Sequence, residues 1–156
     1  MAELSLSRHS RSAICRLTGG IGIEPDCGAA FGVALRGPVR YAVGERDTRP
    51  WGTWEVLATG VGYTLKRIVV NPGQRLALQY HEFRAEHWTV VQGTAEAEID
   101  GVVHRVPAGG HVHVPLRAPH RIRNLGEGPL VVIEVQTGEY LDEHDITRIA
   151  DDYGRQ

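Results

Sequence analysis

Gln79, His81, Glu86 and His120 are residues whose types and spacing can do chemistry together. Gln79 and His81 are two apart on a predicted strand, so both side chains point to one face. Glu86 opens the next predicted strand, and His120 lies at the start of a later one. An amide oxygen, a carboxylate and two imidazoles suit one divalent cation. Zinc is the first choice for such a mixed donor set, with manganese, iron, cobalt and nickel open. The expectation is a metal-centred site inside a β-barrel. His104, His111, His113 and His144 read as surface or strand-edge histidines, and Trp51, Trp54 and Trp88 as core or interface aromatics.

The elements that must position these residues are short strands. Predicted strands run over 54–58, 63–70, 75–81, 86–92, 95–99, 102–106, 111–114, 121–124 and 130–136. Asn71-Pro72-Gly73 is a turn signal, and Asp100-Gly101 a two-residue hairpin turn. Strands at this spacing, broken by Gly and Pro, indicate an antiparallel sandwich or barrel. Leu141, Ile146, Ile149 and Ala150 fall near helical spacing among acidic residues. The segment 142–153 therefore reads as one short amphipathic helix on the barrel, with Asp142 as its N-cap.

Before residue 48 the chain changes character. Residues 1–47 read as a loop-rich arm with short strands near 13–17 and 39–43, an arm that could pair with a second subunit in a homodimer. Gly19 to Gly22 lacks the Lys and the following helix of a phosphate loop; Glu24-Pro25-Asp26 follows instead. At 156 residues the chain is one domain's worth, and 42% hydrophobic with 23% charged residues reads as globular. A net charge of −2 points to neither nucleic acid nor an anionic membrane surface. No apolar run is long enough to span a bilayer, and Met1 to Ser12 lack the apolar centre of a signal peptide. Cys15 and Cys27 have no CxxC partner and read as free thiols in a reducing cytoplasm.

Two spaced motifs carry a resemblance. Gly73, Gln79-x-His81, Glu86 and Gly93 form the first; Gly109, Pro115, His120 and Asn124 form the second. Together they resemble the cupin double motif, which implies an all-β jelly-roll barrel, a double-stranded β-helix, with a metal near one end. Gln79 stands where that motif carries a first His, and Arg117 where it carries a Gly. A left-handed backbone suits Gly better than Arg, so the loop 116–119 is expected to be reshaped.

Further strings sharpen the resemblance: Arg49-Pro50-Trp51-Gly52, Lys66-Arg67-Ile68, Arg84-Ala85-Glu86-His87-Trp88, Gly138-Glu139-Tyr140-Leu141 and Asp151-Asp152-Tyr153-Gly154-Arg155. In order and spacing they resemble type II phosphomannose isomerase over residues 48–156, a cupin domain usually fused behind mannose-1-phosphate guanylyltransferase. At this length the chain is expected not to include that guanylyltransferase domain. The resemblance implies one divalent ion on Gln79, His81, Glu86 and His120. It implies a sugar phosphate as partner, held by Arg84, Arg148 and Arg155, and Arg84, His87 and Lys66 as catalytic candidates. Strict alternation puts Glu86 and His87 on opposite faces, so only one of them faces the barrel. The family's His triplet is reduced here to His81-Glu82-Phe83, which changes charge and shape beside the metal. Two readings follow. One is an isomerase that interconverts mannose 6-phosphate and fructose 6-phosphate, feeding GDP-mannose and polysaccharide synthesis. The other is a non-catalytic cupin that binds a sugar or sugar nucleotide in a regulatory or scaffolding role.

Overall fold

The computed structural model describes residues 41–155. The predicted strand at 13–17, His9, Cys15 and Cys27 lie outside them. Eleven strands follow in order: β1 (Arg46–Arg49), β2 (Gly52–Gly60), β3 (Tyr63–Val70), β4 (Leu78–Tyr80), β5 (Arg84–Gln92), β6 (Thr94–Ile99), β7 (Val102–Pro107), β8 (His111–Val114), β9 (His120–Asn124), β10 (Leu130–Gly138) and β11 (Thr147–Ala150). They pair into a six-stranded sheet, β1-β2-β3-β10-β5-β8, and a five-stranded sheet, β11-β4-β9-β6-β7. Every pairing is antiparallel. No helix among the described residues is long and apolar enough to cross a membrane.

Period-two alternation decides what faces inward. On β3 the buried residues are Thr64, Lys66, Ile68 and Val70; on β5 they are Arg84, Glu86, Trp88 and Val90; on β10 they are Leu130, Val132, Glu134 and Gln136. Register stacks these into layers. Gln136 lies opposite both Thr64 and Glu86, Glu134 opposite Lys66 and Trp88, and Val132 opposite Ile68 and Val90. One end of the interior is therefore hydrocarbon and the other is polar. Each strand carries the same switch, and β10, running the other way, carries it in reverse.

Three expectations need correction. The C-terminal helix is absent. Asp142 does cap a turn, its Oδ1 accepting from His144 N at 2.9 Å, but the chain then runs into β11. β11 pairs with β4, whose backbone would otherwise have one unpaired side. The strand near 39–43 is also absent from its described part: Val43 and Gly44 form a turn, and the strand comes later as β1. Finally, the loop at Arg117 keeps the left-handed backbone, with φ at +64°, rather than being reshaped. Its N–H donates to His81 O at 3.0 Å, which holds the residue there. The Asp100-Gly101 hairpin forms as read, with φ of +54° and +76° between β6 and β7.

Candidate metal centre and its cavity

β5 supplies the hub of the site. Its alternation turns Glu86 fully inward and leaves His87 exposed on the opposite face. There His87 stacks on His113 of β8 with ring centroids 4.5 Å apart. His81 sits in the turn after β4, and His120 opens β9. Gln79 on β4 lies directly opposite His120, so both point to one side of the five-stranded sheet. His81 Nε2 is 3.0 Å from Glu86 Oε1, and His120 Nε2 is 3.6 Å from Glu86 Oε2. Ligand atoms of these three buried residues all lie within 4.8 Å of one another.

Both imidazoles are turned by backbone carbonyls. His81 Nδ1 meets Asp145 O, and His120 Nδ1 is 2.8 Å from Ala118 O. A carbonyl only accepts, so Nδ1 carries the proton on each ring and the Nε2 lone pair faces Glu86. His81 Nε2 then stands against a carboxylate oxygen at 3.0 Å, acceptor against acceptor. A cation between them, proton or metal, removes the conflict. His120 Nε2 is buried without any hydrogen-bond partner, an arrangement that native interiors avoid. This donor set fits a divalent ion held by His81, His120 and Glu86, with Gln79 beside them.

Arg84 borders the centre. Its Nε donates to Glu86 Oε1 at 3.2 Å and its Nη1 to Asp142 O at 2.7 Å, while Nη2 lies 3.3 Å from His81 Nε2. Burial alone would raise the Glu86 carboxyl. With a proton on the imidazoles, His81, His120 and Arg84 overcome it and hold Glu86 well below the usual carboxylate range. Glu134 goes the other way: burial, and then the charge of Glu86, push it up to about 8. It accepts hydrogen bonds from Trp88 Nε1 at 3.0 Å and Gln136 Nε2 at 2.8 Å.

A cavity opens beside the centre, lined by Gln79, Glu86, Arg84, Lys66, Arg148 and Arg155 among others. It gathers every candidate from the sequence except His81 and His120, which do not line it, and His87, which faces outward. Lys66 is buried there. Its ammonium lies 3.8 Å from the Tyr41 ring centroid and 4.6 Å from that of Trp54, and 2.8 Å from Glu143 Oε1. Glu143 Oε1 also accepts from Tyr41 Oη at 2.7 Å. Burial works against the charge of Glu143, but Lys66 and the Tyr41 hydroxyl hold its carboxyl below the ordinary value. Arg155 at the mouth is tied to Asp151, Nη2 to Oδ1 at 2.5 Å.

The sequence reading missed Tyr41, Glu134, Glu143 and Asp145. Glu134 had a signal: Leu130, Val132, Glu134 and Gln136 share one period-two face, so a carboxylate had to point inward. The other three become neighbours of the site only through contacts between distant segments.

Three comparisons bear on this geometry. The family described as mannose-6-phosphate isomerase C-terminal matches residues 39–151. The mannose-1-phosphate guanylyltransferase of Escherichia coli is 47% identical over 107 residues, 69% of this chain and 22% of the relative. The alginate biosynthesis protein AlgA of Pseudomonas putida gives 47% identity over the same shares. The chain thus spans less than a quarter of the length of these curated relatives. A solved structure of an RmlC-like cupin from Shewanella frigidimarina superposes with a TM-score of 0.55 at 19% identity, covering 61% of this chain and 84% of that one. That likeness establishes the cupin fold.

Proposed function

Because the chain belongs to the mannose-6-phosphate isomerase C-terminal family, we propose that it is a metal-dependent sugar-phosphate isomerase. Its reaction would be the interconversion of mannose 6-phosphate and fructose 6-phosphate, in service of GDP-mannose and polysaccharide synthesis. The observation that carries the reading is the convergence of His81 and His120 Nε2 on Glu86, beside a cavity that also holds Arg84 and Lys66. His81, Glu86, His120 and Gln79 would hold one divalent ion, zinc first among the choices. When bound, such an ion polarises a sugar carbonyl and stabilises the charge that develops on its oxygen.

The chain's own groups supply the rest. Arg148 and Arg155 line the cavity and are planar forks that match phosphate oxygens, so they suit the phosphate end of the sugar. Arg84 stands between the ligands and the cavity and would orient the oxygen-bearing end. Aldose–ketose interconversion moves a proton between adjacent carbons and between their oxygens. Lys66 Nζ is the cavity group placed for proton transfer at oxygen, with Glu143 balancing its charge. His87, on the outer face, is left out of the reaction.

The test is a coupled assay with mannose 6-phosphate on chelator-treated protein, repeated with each divalent ion restored. Turnover that returns with one ion supports the reading; none with any ion removes it. A second reading has its own observation. Phe83, where the family carries a histidine, is 54% exposed rather than turned toward the ligands. Binding of the sugar phosphate without turnover would favour the non-catalytic cupin.

A further inference from the structure

The turn after Leu141 touches the site in more than one place. Asp142 O receives Arg84 Nη1 at 2.7 Å and Asp145 N at 3.1 Å. Glu143 receives Lys66, and Asp145 O receives His81 Nδ1. The Asp145 side chain ties this turn to the residues after His81. It is 7% exposed, and its carboxylate is forked across two successive backbone amides: Oδ1 accepts from Glu82 N at 2.9 Å and Oδ2 from Phe83 N at 3.2 Å. These are the two residues that follow His81.

We infer that Asp145 is a positioning residue for the metal centre: its carboxylate clamps the His81 turn to the Asp142–Asp145 turn, and its own carbonyl then fixes which nitrogen of His81 faces Glu86. The inference rests on the metal reading above and adds a residue to it. A carboxylate that accepts two amide protons makes strong, directional contacts, because the acceptor is charged. Those contacts set the distance between the Asp145 backbone and the His81 ring. With the carbonyl in place, the proton stays on Nδ1 and Nε2 is left as a lone pair toward Glu86. Without the clamp, the two amides lose their acceptor, the Asp145 carbonyl is no longer fixed against the His81 ring, and either nitrogen of His81 can carry the proton. On the other side of His81, its carbonyl is held by Arg117 N at 3.0 Å.

The experiment compares the full chain with D145A, and with D152A as a control whose exposed carboxylate pairs with Arg75. Cobalt(II) is titrated into chelator-treated protein against a competing chelator, with the visible band as readout. Separately, long-range proton–nitrogen spectra of the metal-free protein read the His81 tautomer. The expected result is cobalt affinity weaker by about 10- to 100-fold in D145A, as for other residues that orient a ligand, and unchanged in D152A. His81 is expected to be a single Nδ1–H tautomer in the parent chain and a mixture in D145A. Unchanged affinity in a folded D145A overturns the inference, and so does weaker binding with an unchanged tautomer. If D145A does not fold, D145N replaces it; it keeps an acceptor but loses the charge, and the same two readouts decide. If the parent chain binds neither cobalt nor any other divalent ion, the metal reading fails by itself, and the tautomer comparison still decides whether the clamp exists.

Discussion

Glu82 and Arg117 each depart from the family pattern, 35 positions apart in the sequence, and their side chains meet: Arg117 Nε donates to Glu82 Oε2 at 2.8 Å. Arg117 is 66% exposed at its side chain, so the pair contributes no more than about 1 kcal/mol. The charge added beside His81 is thus matched by a charge of opposite sign on the same rim. Closer to the chemistry, exposure separates the two candidates for proton transfer. His87→Ala should change kcat by less than about twofold, since its ring faces away from the cavity. Lys66→Met should lower kcat by about 100-fold or more, the ordinary effect of losing a positioned acid or base. Steady-state rates on both variants check this. Glu143 makes a pH prediction. Its folded-state carboxyl sits below the ordinary 4.5, so the unfolded chain binds the proton first. The stability it contributes is therefore present above about pH 4.5 and is lost as pH falls through its folded value. Urea midpoints of the parent chain and Glu143→Gln should differ at neutral pH and converge in acid; a constant gap would contradict the assignment.

At the scale of elements, the site is built where strand ends meet turns. β5 gives Arg84 and Glu86 from its first residues, and the last residue of β10, Gly138, lies directly opposite Arg84. That crossing is close. A Cβ on Gly138 would come within 2.2 Å of Phe83 O and 2.9 Å of Arg84 Cα, both backbone atoms that cannot swing aside. Gly138→Ala should therefore lower stability by about 1–3 kcal/mol, as other overpacking changes do, and should disturb Arg84 along with it. Denaturant midpoints and sugar-phosphate affinity measure the two effects. β11 shows the same economy: a strand that completes the β4 edge also carries Arg148 to the cavity.

At the scale of the described barrel, one end of the interior is hydrocarbon and the other is charged. Val70, Val90, Leu130 and Val132 exclude water from one half. Lys66, Arg84, Glu86 and Glu134 occupy the other, buried among hydrogen bonds and one another's charges. Burying so many ionisable groups costs stability unless each is paired, and His120 Nε2, buried beside a carboxylate, has no hydrogen-bond partner. A divalent ion bound there stabilises only the folded state. At about 100 times its Kd it should add roughly 2.7 kcal/mol, seen as a higher melting temperature that chelator reverses. No shift with any ion would remove the metal from the account.

The sequence alone determined the class of fold and most strand positions, because those depend on local chemistry, and it pointed to His81, Glu86 and His120, which the fold brings together. Period-two burial places Glu86 inward and His87 outward whatever surrounds them, and Asp100-Gly101 closes a hairpin by backbone preference alone. What the tertiary structure decided was anything that needed a partner from far along the chain. The turn at Asp142 and the apolar spacing after it are compatible with a helix or a strand; the open edge of β4 chose the strand. Tyr41 joins Glu143 across 102 positions, and Asp145 joins Glu82 across 63. No local pattern encodes such pairs, because their energy exists only once two sheets have closed around a common interior.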